Sequence, residues 1–267
     1  MYIDYSQVKC ETYHKHEVFG LIDRMKDYYE GLSDTSFSFM PNGTMTIGNY
    51  AARIYMSIHS TLESIKMLLK EGHISDAFVL IRKLFDLVLV EIYLNVVREE
   101  KFDWKENRVV KDVDEWLKSQ HWIPKTEKIL TVLKESKSTK ELYPCFGWDS
   151  YLKKNRRFLD NHVHADSYYS ILLNCPDIYL QGREKQLKNA SVILNQIMMV
   201  HIAFMFYMNG PYMMASDYTD CLDIGMTPPK GCESWLAPYA QKAFDEFLKP
   251  HVKLAAFLKE QCCMNIE

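Results

Sequence analysis

The run Asn155-Arg156-Arg157-Phe158-Leu159-Asp160-Asn161-His162-Val163-His164-Ala165-Asp166 gathers guanidinium, imidazole, amide and carboxylate groups into twelve residues. On a helix, positions i, i+4 and i+7 share a face. Arg157, Asn161 and His164 therefore line up, with Tyr168 one turn on. Arg156, Asp160 and Val163 form a second stripe, and Phe158 and His162 a third. Histidine moves a proton near neutral pH. Arginine's planar fork holds a phosphate or stabilises negative charge developing on it. A cation beside an imidazole therefore suits phosphoryl chemistry, against the alternative of a solvated, charged helix end.

The elements that position this run are helical. Ten glycines and nine prolines in 267 residues are few, and alternating β-branched runs are scarce. The expected class is all-α. A first helix is expected from about Thr12 to Tyr29, ending near Gly31, with loop from Leu32 to Asn42. Ile54, Ile58, Leu62, Ile65 and Leu69 stripe a helix from Thr46 to Lys70, which Gly72 stops. Ser75 is a candidate N-cap for an apolar helix running to about Arg98. So short a connection makes the two an antiparallel hairpin, with Leu84 and Val88 buried. Shorter helices are expected at Val113–Ser119 and, after Pro124, at Lys125–Ser136. The cluster-bearing helix starts near Asp149 or Ser150. A long Met-rich helix spans Arg183 to Met208, loop follows from Asp217 to Gly231, and a last helix covers Ser234 to Cys262, broken near Pro250. The organisation expected is residues 1–45 as N-terminal helix and loop, 46–210 as the helical bundle, and 211–267 as a loop and C-terminal helical extension on the same domain.

Composition narrows the function. A net charge of −3 leaves no global basic footprint, so nucleic acid could bind only at a local patch. Seven scattered cysteines without a C-x-x-C pair fit a reducing cytoplasm. Met1-Tyr2-Ile3-Asp4-Tyr5 has acid where a signal peptide has base, and a cytoplasmic location is expected. The apolar runs Phe78–Val97 and Val192–Met208 are interrupted by polar residues and read as buried helices rather than membrane spans.

No phosphate-binding glycine loop, zinc-protease helix or serine elbow occurs. Glu11-Thr12-Tyr13-His14 is a lone match where a di-iron site needs two. No metal and no cofactor is expected. His121-Trp122 reads as an interface or packing feature, and His201 as a satisfied core histidine. Arg82 and Asp86, at i, i+4 on an apolar helix, should pair with each other or with another buried polar group. They could also orient a cluster on a neighbouring helix. Glu91 and Asn95 raise the same question one stripe along.

A long antiparallel hairpin followed by an R-x(4–6)-H motif resembles the HEPN superfamily of small all-helical bundles. The segments Ser57–Ile65 and Asp76–Asp86, then the late Arg/His cluster, carry the resemblance over roughly residues 46–208. Many members of that superfamily are metal-independent ribonucleases of toxin–antitoxin, abortive-infection and CRISPR systems. Three registers satisfy the motif: Arg157 with His162, Arg156 with His162, and Arg157 with His164. Family members commonly carry Asn, Asp or His directly after the arginine, where this chain has Arg157 or Phe158.

The resemblance implies attack of a ribose 2′-hydroxyl on the adjacent phosphate, with Arg157 and His162 as the leading pair. His164, Arg156 and Asn161 stand close behind, with Arg82, Asp86 and Asp160 supporting them. It also implies a homodimer with a composite site, RNA as the partner, and an antitoxin or regulatory protein in a defence system. The alternative is a non-catalytic helical scaffold or binding module.

Overall fold

The computed structural model describes residues 3–38, 50–103, 105, 108–120, 122–146 and 148–267, and over these the chain is all-α. The helices are α1 (Ser6–Lys9), α2 (Glu11–His14), α3 (Glu17–Ser38), α4 (Tyr50–Lys70), α5 (Ile74–Lys101), α6 (Lys111–Leu117) and α7 (Thr126–Glu135). They continue with α8 (Trp148–Val163), α9 (Tyr168–Leu172), α10 (Arg183–Met208), α11 (Asp217–Asp223), α12 (Pro238–Ala243) and α13 (Val252–Gln261). Among the described residues no strand forms beyond the isolated bridges Met214–Leu236 and Trp235–Asn265. His121 and residues 39–49 lie outside the described residues, so the start of the expected Thr46 helix and the end of the Leu32–Asn42 loop do too.

The α4–α5 hairpin follows from its pattern. Ile54, Ile58, Leu62, Ile65 and Leu69 are all buried, as are Leu84 and Val88. Gly72 ends α4 at φ +82°, a conformation that favours glycine. A side chain there would also press on Val8 and Pro176. With three residues between them, α4 and α5 run antiparallel.

Four sequence expectations are corrected. The first helix does not run unbroken from Thr12; α2 ends at His14 and α3 starts at Glu17. Nor does α3 stop near Gly31, for it continues through the expected loop to Ser38. The reason is tertiary: the Tyr239 ring lies where a Gly31 Cβ would come within 2.6 Å of it. Glycine is kept there for close approach despite its helix cost of about 1 kcal/mol. The loop from Asp217 to Gly231 contains α11. The last helix starts at Pro238 rather than Ser234; it passes through a π-turn at Phe244–Leu248, breaks at Lys249–His251, beside Pro250 as expected, and resumes as α13 at Val252.

The described chain forms two compact units. They do not coincide with three consecutive stretches, because α3, α4, α5 and α10 each contribute to both. One unit comprises residues 1–27, 57–88 and 147–198. In it, Lys26 pairs with Glu63 and Lys66 with Asp23, so α3 and α4 run antiparallel there. The other comprises residues 28–56, 89–146 and 199–267 and holds a buried polar core described below. The apolar window of α10 is long enough to cross a bilayer by length and composition, and 72% of it is buried within the protein.

Candidate functional site

The cluster helix α8 belongs to the first unit, and its faces have separate environments. Leu152 and Leu159 are buried, anchoring the helix. Asn155 is also buried and donates to Gln196 of α10 at 2.5 Å. Towards α5, Asp160 accepts a hydrogen bond from Arg82 Nε at 2.7 Å, while Arg82 also pairs with Asp86. Arg156 approaches the second oxygen of Asp160 at 3.8 Å. Burial disfavours the Arg82 cation, but the two carboxylates outweigh it and raise its pKa. The Arg82 side chain is 12% exposed and that of Asp86 45%. The expected pairing of Arg82 with Asp86 forms, with the arginine largely buried, but its partners Asp86 and Asp160 are partly exposed rather than buried.

His162 faces inward. Its Nδ1 sits 3.0 Å from the hydroxyl of Ser75, and its ring packs against Phe78 and Phe158 at centroid distances of 4.5 and 5.2 Å. Burial lowers its pKa to about 4, so the ring is neutral at pH 7, and the tautomer decides whether Nδ1 accepts from or donates to the Ser75 hydroxyl. Ser75, expected as an N-cap, is thus committed to His162. The start of α5 is tied instead by Asn174, whose side chain accepts from the Asp76 amide and donates to the Asp76 carboxylate.

Arg157, Asn161 and His164 are exposed. Among the described residues none of the three side chains has a hydrogen bond or ion pair. His162 lies five positions after Arg157, about 140° around the helix, so the leading pair is directed to different sides of α8. Arg157 and His164 share the outer face with Asn161. The helix closes just beyond, where Asp166 N–H reaches Asn161 O at 3.1 Å and Ala165 turns to φ +52°. That is the left-handed close of a Schellman-type end. Lys153 and Lys154 are exposed one turn earlier, and Tyr168 on α9 is 69% exposed.

Among the described residues no group of three or more His, Cys, Asp and Glu side chains could hold a metal ion. Glu11 and His14 are exposed on α2.

Three features escaped sequence reasoning. Arg183 is fully buried and has no carboxylate partner among the described residues: it donates to Gln7 Oε1, Gly72 O, Cys175 O and Ile178 O, binding α1, the hairpin turn and the loop before α10. The second is the serine–histidine contact. The third joins residues read separately, in the other unit. Tyr55 donates to Glu91 at 2.7 Å, His201 Nε2 lies 2.9 Å from Glu91, Tyr29 meets His201 Nδ1 at 2.6 Å, and Asn95 donates to Glu91. Burial pushes the Glu91 carboxyl up, but these donors outweigh it and hold it below its usual range. All five residues are buried, so His201 is a satisfied core histidine.

One protein-family model matches, described as a family of unknown function (DUF5677), over residues 48–172. That stretch runs from two residues before α4 to the last residue of α9, and contains Arg82, Asp86 and the whole Arg/His cluster. No curated protein and no solved structure matches the chain.

Proposed function

We propose that this chain is a HEPN-like, metal-independent RNA-cleaving or RNA-binding effector of a bacterial defence or toxin–antitoxin system. It works in the cytoplasm as a homodimer, held in check by an antitoxin or regulatory protein. The observation that carries the reading is the outer face of α8. Arg157, Asn161 and His164 lie together in solvent with their side-chain donors and acceptors uncommitted, whereas Arg82, Arg156 and Asp160 beneath them are mutually paired. The surrounding Lys153, Lys154 and Tyr168 supply charge for phosphate and a ring for a base.

In this reading His164 exchanges the proton and Arg157 stabilises charge on the phosphorane. His162 pins α8 to α5. Each chain supplies one such face, so two faces meeting at a two-fold axis provide both the base that takes the 2′-hydroxyl proton and the acid that protonates the departing 5′-oxygen. The inward turn of His162 favours a second reading, a scaffold that kept the fold and lost the chemistry.

The test is cleavage of single-stranded RNA by purified protein without added metal. The expected product end is a 2′,3′-cyclic phosphate. His164→Ala should lower the rate roughly 10²–10⁴-fold, and Arg157→Lys should impair it because a point charge cannot replace a bidentate fork. Loss of cutting in His162→Ala with His164→Ala unaffected would make Arg157–His162 the operative pair. Equal cutting by wild type and all variants would mean a contaminating nuclease, and the scaffold reading would stand.

A further inference from the structure

Cys262 and Cys263 follow α13 side by side, and both sulfurs come to rest on Gly210. A Cβ on that glycine would stand 3.0 Å from Cys263 Sγ and 3.4 Å from Cys262 Sγ. The two thiols therefore converge on one point of the chain, and their side chains hydrogen-bond to each other. All three residues belong to the second unit. Both cysteines are free, with Cys263 exposed and Cys262 half-buried.

The pair is held in place from both sides. Cys262 N–H donates to Leu258 O at 2.8 Å, ending α13, and Cys262 Sγ accepts from the Met264 amide at 3.4 Å. Beyond it Met264 is buried, also against Gly210, and Asn265 N–H reaches Ser234 O at 2.7 Å. Burial raises the Cys262 pKa to about 11, so that thiol keeps its proton at pH 7.

Joining the two sulfurs directly would be strained. Adjacent Cα atoms are about 3.8 Å apart, below the span of about 4.4–6.8 Å usual for disulfides. An atom interposed between the sulfurs lifts that restriction. A tetrahedral metal asks for more donors, and no group of three or more His, Cys, Asp and Glu side chains among the described residues could hold one. A monosubstituted trivalent arsenical needs only two thiols, because its carbon substituent already fills the third position.

We infer that Cys262 and Cys263 form a chelating dithiol site for monosubstituted trivalent arsenicals, with Gly210 as the seat that brings both sulfurs to one centre. Each thiol forms one arsenic–sulfur bond while one arsenic–oxygen bond breaks. Its proton leaves with the departing hydroxide as water, and arsenic stays trivalent. The exposed Cys263 makes the first bond, since a thiol reacts as its thiolate and must be accessible to meet the reagent. Cys262 then closes the ring, an intramolecular second bond outweighing its reluctance to ionise. The site is independent of the RNA reading, since no residue of α8 takes part.

Phenylarsine oxide is the probe, added in equal amount to the reduced full chain in a large excess of glutathione. Intact mass and peptide mapping follow the adduct. Wild type should hold one phenylarsenic group bridging Cys262 and Cys263 despite the monothiol, and 1,2-ethanedithiol should remove it. Cys262→Ser and Cys263→Ser should each bind the probe at least about 100-fold more weakly, through loss of the intramolecular second bond. Capture in urea, where the cysteines stay adjacent in sequence but leave Gly210, should also be weaker. Loss of the group to glutathione in wild type would overturn the inference, as would an adduct mapped to any other cysteine. So would capture unchanged in either serine variant, or equal capture in urea.

Discussion

Arg82 Nε donates to Asp160 Oδ1 across 2.7 Å, fastening the first third of α5 to the helix that carries the Arg/His cluster. The same guanidinium holds Asp86 one turn along its own helix. One largely buried cation therefore serves two carboxylates, and its loss of either is buffered by the other.

The cost of removing these acids should be strongly non-additive. Asp160→Ala and Asp86→Ala alone each leave Arg82 a partner. The double change strands a desolvated cation and should cost several kcal/mol more than the sum of the singles, since breaking a buried pair costs about 3–5 kcal/mol. Adding Arg82→Met to the double variant should restore most of that loss. Urea unfolding of the series checks it, and additive single effects would mean that the guanidinium is solvated.

The pH response of the same helix can be assigned to His162. Its pKa in the fold, about 4, lies below the ordinary histidine value of 6.5. The unfolded chain therefore takes up a proton first as the pH falls, and the His162 contribution to stability is full above about pH 6.5. It declines towards pH 4 and levels off below that. His162→Phe keeps a ring between Phe78 and Phe158 and should flatten this segment of the unfolding midpoint against pH. It should be somewhat less stable at pH 7, because Ser75 loses its hydrogen-bond partner. An unchanged slope in the variant would place the titration elsewhere.

The hairpin was legible because burial there obeys one period: Ile54 through Leu69 recur every three or four residues, and the Gly72 stop is local chemistry. The bounds of α10 were legible from its Met-rich apolar run and the Asn209-Gly210-Pro211 that closes it. What escaped depended on partners distant in sequence. Gly31 reads locally as a helix end, and only the Tyr239 ring explains its place inside α3. Arg183 reads as a helix-starting charge, and only the carbonyls of Gly72, Cys175 and Ile178 explain its burial. In the cluster, the spacing gave three registers alike. Packing separates them, because Phe78 and Ser75 draw His162 inward and leave Arg157, Asn161 and His164 outside.

Arg183 gives a sharp test of fork against point charge. Its guanidinium satisfies four oxygens in a fully buried position. Lysine has a single nitrogen and cannot reach carbonyls on α1, the hairpin turn and the loop together. Arg183→Lys should therefore destabilise by at least about 2 kcal/mol, through carbonyls left unsatisfied and a buried charge less well solvated. Hydrogen exchange should quicken around Gly72 and Cys175–Ile178 before it does elsewhere. A variant within about 0.5 kcal/mol of wild type would mean that water reaches the pocket.

Leu84 provides the corresponding test of apolar packing. It is fully buried on α5, two residues beyond Arg82, so its truncation samples the core of the hairpin without touching the ion pair. Leu84→Ala should cost about 2–5 kcal/mol, the upper part of that range applying if the neighbouring side chains cannot collapse into the space. A cost near 1 kcal/mol would indicate a loosely packed hairpin.

The end of α8 offers a change in the stabilising direction. Ala165 holds φ +52°, a left-handed conformation that strains residues bearing a Cβ and that glycine adopts freely. It is exposed, so glycine there removes little packing. Ala165→Gly should stabilise by about 0.5–1 kcal/mol, the relief of strain exceeding the entropy added to the unfolded chain. The consequence for function follows from position, since Ala165 adjoins His164. If His164 is held for catalysis by this turn, glycine should preserve the turn and leave RNA cleavage unchanged. Ala165→Val, whose branched side chain resists positive φ, should lower stability and cleavage together. Thermal unfolding paired with the cleavage assay separates the outcomes. A destabilised glycine variant would mean that the turn relaxes to negative φ in solution.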